Sequence, residues 1–175
     1  MYMTKFILVV LIFVSSFQVF CQDGYPKPTS NDGLLFYIQH NRGKNAFIYS
    51  INYSNNHKID TDEPVKVTRQ LFDKNGEIKP LTAIQKNFAY GIDIDKINAN
   101  HYELAIVSLP DQKLYLTIPS KGKAYVETTV NGVKIKVNRL FIRIKDGTSG
   151  FSTKLDYILF YGTHKNKEVI LKLEI

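Results

Sequence analysis

Residues 124–144 read AYVETTVNGVKIKVNRLFIRI. Asn131-Gly132 is the strongest hairpin signal in the chain, because both residues tolerate the left-handed backbone of a two-residue turn. The strand that follows changes phase. Val133, Ile135 and Val137 share one parity, whereas Leu140, Ile142 and Ile144 hold the other. A face switch inside a strand is what one extra unpaired residue produces, so the pattern places a bulge at Asn138-Arg139. The plainer alternative is a bend.

Reading outward, the same period of two recurs. Leu34 to Ile38 is a continuous apolar run, and Asn41-Arg42-Gly43-Lys44 is a turn. Phe47 to Tyr53 and Val65 to Leu71 alternate, with a polar loop from Ser54 to Glu63 between them. Further on, Tyr102 to Ile106, a turn at Pro110-Asp111-Gln112, and Leu114 to Ile118 lead into the central hairpin. A loop at Asp146 to Ser152 separates it from Leu155 to Tyr161, a turn at Thr163 to Asn166, and Val169 to Ile175. Regularly spaced short strands predict an all-β fold: an antiparallel sandwich or flattened barrel of about eight to nine strands with one short helix.

That helix is predicted in Pro80 to Ile94, PLTAIQKNFAYGIDI. Thr82-Ala83-Ile84-Gln85 fits a capping box, and Gly91 is a natural stop because it adopts a left-handed backbone freely. A helix of about two turns is too short to hold alone. Packing of Ile84, Phe88 and Tyr90 on the sheet must therefore stabilise it, and it is expected to cap or plug the sheet between an N-terminal strand group and a C-terminal meander.

Lys5, the apolar run Phe6 to Val14 and a short exit region match a secretory signal peptide over residues 1–21. The run is too short to span a membrane comfortably, and no later segment is a transmembrane candidate. The expected address is secreted or periplasmic. Lipid anchoring through Cys21 is the alternative, and Phe20 before it argues against this. Cys21 is the only cysteine, so a processed chain has no disulfide or thiolate ligand. Residues 22–32, QDGYPKPTSND, read as a flexible leader, and residues 33–175 as a single β domain. Such a domain is long enough to bury roughly 70% of its unfolded surface.

The net charge is +7, and residues 1–21 contribute one lysine to it and no acid. That permits weak attraction to anionic surfaces. A nucleic-acid reading needs a basic stripe interleaved with aromatics or a known module, and neither is present.

Two stretches, LLFYIQHNRGKNAFIYSINY at 34–53 and EPVKVTRQLFDKNGEIKPLTAIQKNFAYGI at 63–92, resemble the family called domain of unknown function 4833, secreted proteins of Gram-negative bacteria. The match is good at Ala89-Tyr90-Gly91. The chain departs from the family pattern in having His40 after the first strand, where a basic residue is usual, and no Trp in the third. The resemblance implies no activity and no catalytic residues.

Chemistry must then be read from single residues. Arg69 falls on the apolar parity of its strand, between Val67 and Leu71. A buried guanidinium needs a partner, so Arg69 is either an anion-binding residue facing a pocket or a rim residue in solvent or an ion pair. His40, Asn41, Arg42 and Asn45 cluster at the first hairpin, where they would hold a polar ligand or simply make a turn. Lys86 and Tyr90 flank the helix end and would complete such a site. Asp60-Thr61-Asp62-Glu63 and Asp93-Ile94-Asp95 lack calcium-loop spacing. There is no G-x-S-x-G elbow, and His40, His57, His101 and His164 form no metal motif. Neither cofactor nor metal is expected.

Two readings follow. One is a non-catalytic binding module for a small anionic or amphipathic ligand, held through Arg69, His40, Asn41, Arg42, Lys86 and Tyr90. The other is an envelope protein–protein interaction or structural module, using a sheet edge or the aromatic faces of Phe47, Tyr49 and Tyr53. An enzyme would need His40 or His101 to meet a carboxylate and a hydroxyl in one cleft.

Overall fold

The computed structural model of the protein describes residues 24–29, 33–54 and 58–175. The expected signal segment with Cys21, part of the leader, and His57 lie outside the described residues.

The strands are β1 (Leu34–His40), β2 (Ala46–Ile51), β3 (Val65–Leu71), β4 (Glu77–Pro80), β5 (Ile92–Asn98), β6 (His101–Ile106), β7 (Leu109–Thr117), β8 (Tyr125–Val130), β9 (Val133–Ile144), β10 (Leu155–His164) and β11 (Lys167–Glu174). All belong to one hydrogen-bonded sheet. Pairing is antiparallel except between β1 and β9, which run parallel. The all-β, mainly antiparallel reading therefore holds, in the form of a curled mixed sheet, a half-barrel.

The central strand β9 organises it. Along one edge β9 pairs with β10, from Leu155↔Ile144 to Thr163↔Lys136. Its other edge is shared: β8 takes Val133 to Val137, and β1 takes Arg139 to Ile142. Asn138 lies between the two and is skipped in the β10 register, where Tyr161↔Arg139 is followed by Gly162↔Val137. The expected bulge is therefore at Asn138. Gly162 makes it possible, because a Cβ there would overlap the Lys136 carbonyl.

Two wings leave this fork, β1-β2-β3-β4 and β8-β7-β6-β5. Their inner faces share one core, built on fully buried Phe36, Tyr49, Leu104, Leu116, Leu140 and Phe160. Phe36 and Tyr49 stack at 4.4 Å. The outer face of β1 and β9 is covered too. Tyr25 meets the Phe141 ring edge-on at 5.0 Å, and the Gln39 amide donates to the Pro26 carbonyl at 2.8 Å. Thr29 and the Gln70 side chain exchange two hydrogen bonds of 3.1 Å. Residues 24–29 of the leader thus lie against the sheet.

Two strands are added to those expected, and two local expectations are corrected. The sheet has eleven strands among the described residues. The two beyond the nine expected are β4 and β5, which flank the helix. Pro110-Asp111-Gln112 is not a turn. It lies within β7, where the register jumps from Leu104↔Leu114 to Ile106↔Leu109. This wide bulge leaves Pro110 without a ladder partner to lose, and the chain reverses at Val107-Ser108 instead. The helix forms with both arms of its capping box, Gln85 N–H to Thr82 Oγ1 at 3.3 Å and Thr82 N–H to Gln85 Oε1 at 3.1 Å. However, it makes one α turn, α1 (Ala83–Gln85), then loosens into a π turn over Lys86–Tyr90. Leu81, Tyr90 and Ile92 pack on the core, while Ile84 and Phe88 are 66% and 62% exposed. The extra residue of the π turn takes the (i, i+4) pair out of phase with the buried face. Gly91 ends the helix in extended backbone, φ −61°, ψ 164°. Glycine is required there because the chain doubles back on the Lys86 carbonyl, which a Cβ would overlap.

Gly162→Ala should lower stability by roughly 2–4 kcal/mol, because rigid β9 backbone must move. Gly43→Ala, whose Cβ would only touch His40 Cε1 at 3.7 Å, should change it by less than about 0.5 kcal/mol. Urea midpoints measure both; similar midpoints for the two variants would contradict the close approach at the bulge.

Candidate functional site

The register sets which residues meet. Ile38↔Phe47 and Phe47↔Arg69 put Phe47 on the inner face, with Arg69 directly opposite on β3. Lys79 is the next residue in that row, on β4, and pairs with Glu77 at 3.2 Å. The Tyr90 ring stacks on Phe47 with centroids 3.4 Å apart. His40, at the end of β1, flanks both rings at 6.1 and 6.2 Å. Three expected site residues, Arg69, His40 and Tyr90, therefore converge on Phe47. Arg69 is half-buried, and its Nε is buried without a hydrogen-bond partner.

This cluster is anchored by Tyr49, whose fully buried hydroxyl donates to the Tyr90 carbonyl at 2.7 Å. Burial raises the Tyr49 phenol far above its ordinary value, with a smaller push from Tyr90, and burial likewise raises Tyr90. Both stay protonated at any physiological pH. Ser108 donates to the Ala89 carbonyl at 2.6 Å, and Val107 N–H to the Gly91 carbonyl at 3.0 Å. The π turn is thus tied to β2 in one wing and to the β6–β7 turn in the other.

The remaining expected residues go elsewhere. Asn41 continues the β1–β9 ladder with its side chain, accepting from Ile144 N–H at 2.8 Å and donating to the Ile144 carbonyl at 3.1 Å. Arg42 is exposed and donates to the Lys145 carbonyl at 2.6 Å. Asn45 accepts from Phe72 N–H at 3.1 Å. These are fastenings of the fold. Lys86 is exposed and lines a shallow cleft of about 360 Å³ with Asp93, Ile92 and Val107.

Among the described residues no three His, Cys, Asp or Glu side chains come close enough to hold a metal ion. Asp60 closes its own turn, accepting from Asp62 and Glu63 N–H at 3.0 Å each; these bonds hold its carboxyl below its ordinary value. His101 Nδ1 lies 3.0 Å from Asn98 Oδ1, and His164 Nδ1 lies 2.8 Å from the Lys134 carbonyl.

Two features were not anticipated from the sequence. The first is a cleft of about 510 Å³ in the crotch of the fork, where β1 and β8 peel away from β9. Gly33, Leu34, Ile51, Tyr53 and Ile59 line it from one wing, and Ile118, Pro119, Gly122, Lys123 and Ala124 from the other. Lys123 is the charged side chain of the lining. The second is Arg139, only 5% exposed, on the covered outer face of β9. Leu140-Phe141-Ile142, apolar in both parities, is the signal that could have shown a strand covered on both faces.

A family model described as domain of unknown function matches residues 36–172. The chain belongs to this family, domain of unknown function 4833, whose name assigns no role. Comparison with curated proteins and with solved structures finds no significant match. No helix among the described residues is long and apolar enough to cross a membrane.

Tyr49→Phe should cost about 1–2 kcal/mol, because the Tyr90 carbonyl loses a buried donor; an unchanged urea midpoint would show that the hydroxyl does not hold the π turn. His40 gives a pH signature. Burial lowers its pKa, and Arg42 lowers it further, while Arg42 N–H donates to its Nδ1 at 3.1 Å. The unfolded chain therefore binds the proton first as pH falls through His40's ordinary value near 6.5. Stability should decline from about neutral pH downward, until the folded group also protonates. Between about pH 7.5 and about pH 5, wild type should lose more stability than His40→Gln. Equal losses would remove His40 as the source.

Proposed function

We propose that this protein is an exported, non-catalytic binding module for a small amphipathic anion, seated in the crotch of the fork. The export reading rests on Lys5 followed by the apolar run Phe6 to Val14. One observation carries the binding reading. The cleft of about 510 Å³ is lined by the aliphatic residues Leu34, Ile51, Ile59, Ile118 and Ala124 together with Tyr53 and Lys123, and more of its surface is polar than apolar. Its size lies within the usual range for small-molecule sites, and its mixed lining suits a ligand with both an apolar and a charged part. An apolar tail would lie along the aliphatic residues and leave its acid group beside Lys123. Binding rather than catalysis is favoured because the Nδ1 partners of His40, His101 and His164 are two backbone groups and a side-chain amide, and none is the carboxylate that orients a general base.

Arg69 stands at the opposite end of the β2–β3 ladder from this cleft, since Phe47↔Arg69 is at one end and Ile51↔Val65 at the other. It is a separate anchoring point, beside the Phe47–Tyr90 stack. A second reading, docking of an envelope protein, is favoured by Ile84 in α1 and Phe88 in the π turn, both of them mostly exposed.

Native mass spectrometry of protein purified from its own secretory route, followed by titration with laurate, tests this. Wild type should carry or acquire a reproducible extra mass. Lys123→Glu should lose it, and Arg69→Ala should keep it. Loss with Arg69→Ala alone would move the ligand to the Phe47–Tyr90 cluster. A bare mass in all three, unchanged by laurate, would overturn the small-ligand reading and leave the Ile84–Phe88 surface.

A further inference from the structure

The outer face of the fork holds a feature that the inner cleft does not use. Arg139 follows the Asn138 bulge, so the phase change turns it away from the core, onto the face that carries Phe141. Tyr37 on β1 and Tyr161 on β10 stand directly across from it on either side. Its guanidinium carbon lies 4.6 Å from the Tyr161 ring and 5.4 Å from the Phe141 ring. Arg139 makes no ion pair with a described residue, and its Nε and Nη2 are both buried without a hydrogen-bond partner.

Those two nitrogens are not an arbitrary pair. Nε–H and one Nη2–H point the same way from one edge of the planar guanidinium, and that edge matches the two oxygens of a carboxylate or phosphate. The surroundings suit an anion. Lys136 is on the same face, over the Tyr125 ring at 3.9 Å. Burial raises the Tyr37 pKa against the pull of Arg139, which leaves its hydroxyl a proton donor at neutral pH. Glu127, across from Lys136 on β8, is paired with Lys134 at 2.9 Å, and Glu168 lies in the Lys136 row beyond Thr163.

We propose that Arg139 is an oxyanion-binding residue on the outer face of β9, and that the Nε–Nη2 edge takes a carboxylate or phosphate bidentately between Tyr37, Phe141 and Tyr161. Tyr25 covers this face by its edge-on contact with Phe141, so a ligand reaches the site by displacing Tyr25. The site is independent of the inner cleft, which none of these residues lines.

The arginine Nε–H resonances of the full-length processed protein read this directly by NMR. Benzoate and inorganic phosphate are the probes, each taken to about 10 mM, enough to occupy a site of about 1 mM Kd. The line that Arg139→Lys removes should shift and saturate. Tyr25→Ala should tighten binding, and Arg139→Lys should weaken it by about tenfold, because an ammonium keeps the charge but lacks the fork. Benzoate favoured over phosphate assigns a carboxylate ligand, and the reverse order a phosphate. If neither probe moves that line in wild type or in Tyr25→Ala, the proposal fails. Backbone amide shifts of Phe141 and Tyr161 follow the probes in Arg139→Lys, where the Nε–H line is gone; the proposal also fails if that variant binds them as wild type does, since surface lysines would then explain the shift.

Discussion

One strand edge serves two partners. The β9 edge opposite β10 hydrogen-bonds to β8 as far as Val137 and to β1 from Arg139 onward. Two strands cannot occupy the same stretch of edge, so they must part at Asn138, and everything attached to them parts with them. The two wings, the core between their inner faces and the crotch where the cleft opens all follow from that division. The bulge needs room on the β10 side, which Gly162 provides by having no side chain where the chains come closest. Asn41 then extends the β1 pairing one step beyond the strand by using a side-chain amide in place of a backbone one.

A sheet that forks leaves its outermost strands, β4 and β5, at opposite ends of the strand order and unpaired with each other, although they are consecutive in the chain. The segment from Leu81 to Gly91 joins those edges, β4 and β5. It is held less by its own turns than by what grips its far end. Tyr49 reaches it from one wing and Ser108 from the other, and Tyr90 lies flat on Phe47. This explains why so short a helix persists in spite of a π turn and two exposed apolar residues. It is fastened through its backbone carbonyls and through Tyr90, rather than by burying the amphipathic stripe that helical spacing would suggest.

Features encoded within a few residues were legible in the sequence. The Asn131-Gly132 turn adopts positive φ at both positions, 49° and 79°, as the dipeptide demands. The capping box and the phase change in β9 are equally local. Arg69 was legible as a charge on an inward parity, because period two alone decides that. Other features depend on distant chain. Ile92-Asp93-Ile94-Asp95 alternates like a strand, yet so close behind a helix stop that its partner, β6, was needed to declare it. Pro110-Asp111-Gln112 has the chemistry of a turn and serves as a bulge, since β7 is paired again just beyond it. Asn41 and Arg42 look like a ligand cluster in sequence, and only Ile144 and Lys145, about a hundred residues away, show what they hold. The cleft and the setting of Arg139 exist only once β1 lies beside β9.

That parallel pairing also orders events in time. β1 is among the first strands to be synthesised, yet its partner edge ends at Ile142. The hairpins of β1 to β4 can close early, because each joins neighbours in the chain. The contacts that complete β1 must wait for most of the chain, and long-range parallel pairing of this kind is slow. Until then β1 presents an apolar strand with one edge unpaired, which is the form most prone to pair with another molecule. For a chain that emerges N-terminus first, the interval between β1 and β9 is a period of exposure, and its length is set by the rate of synthesis rather than by the stability of the finished fold.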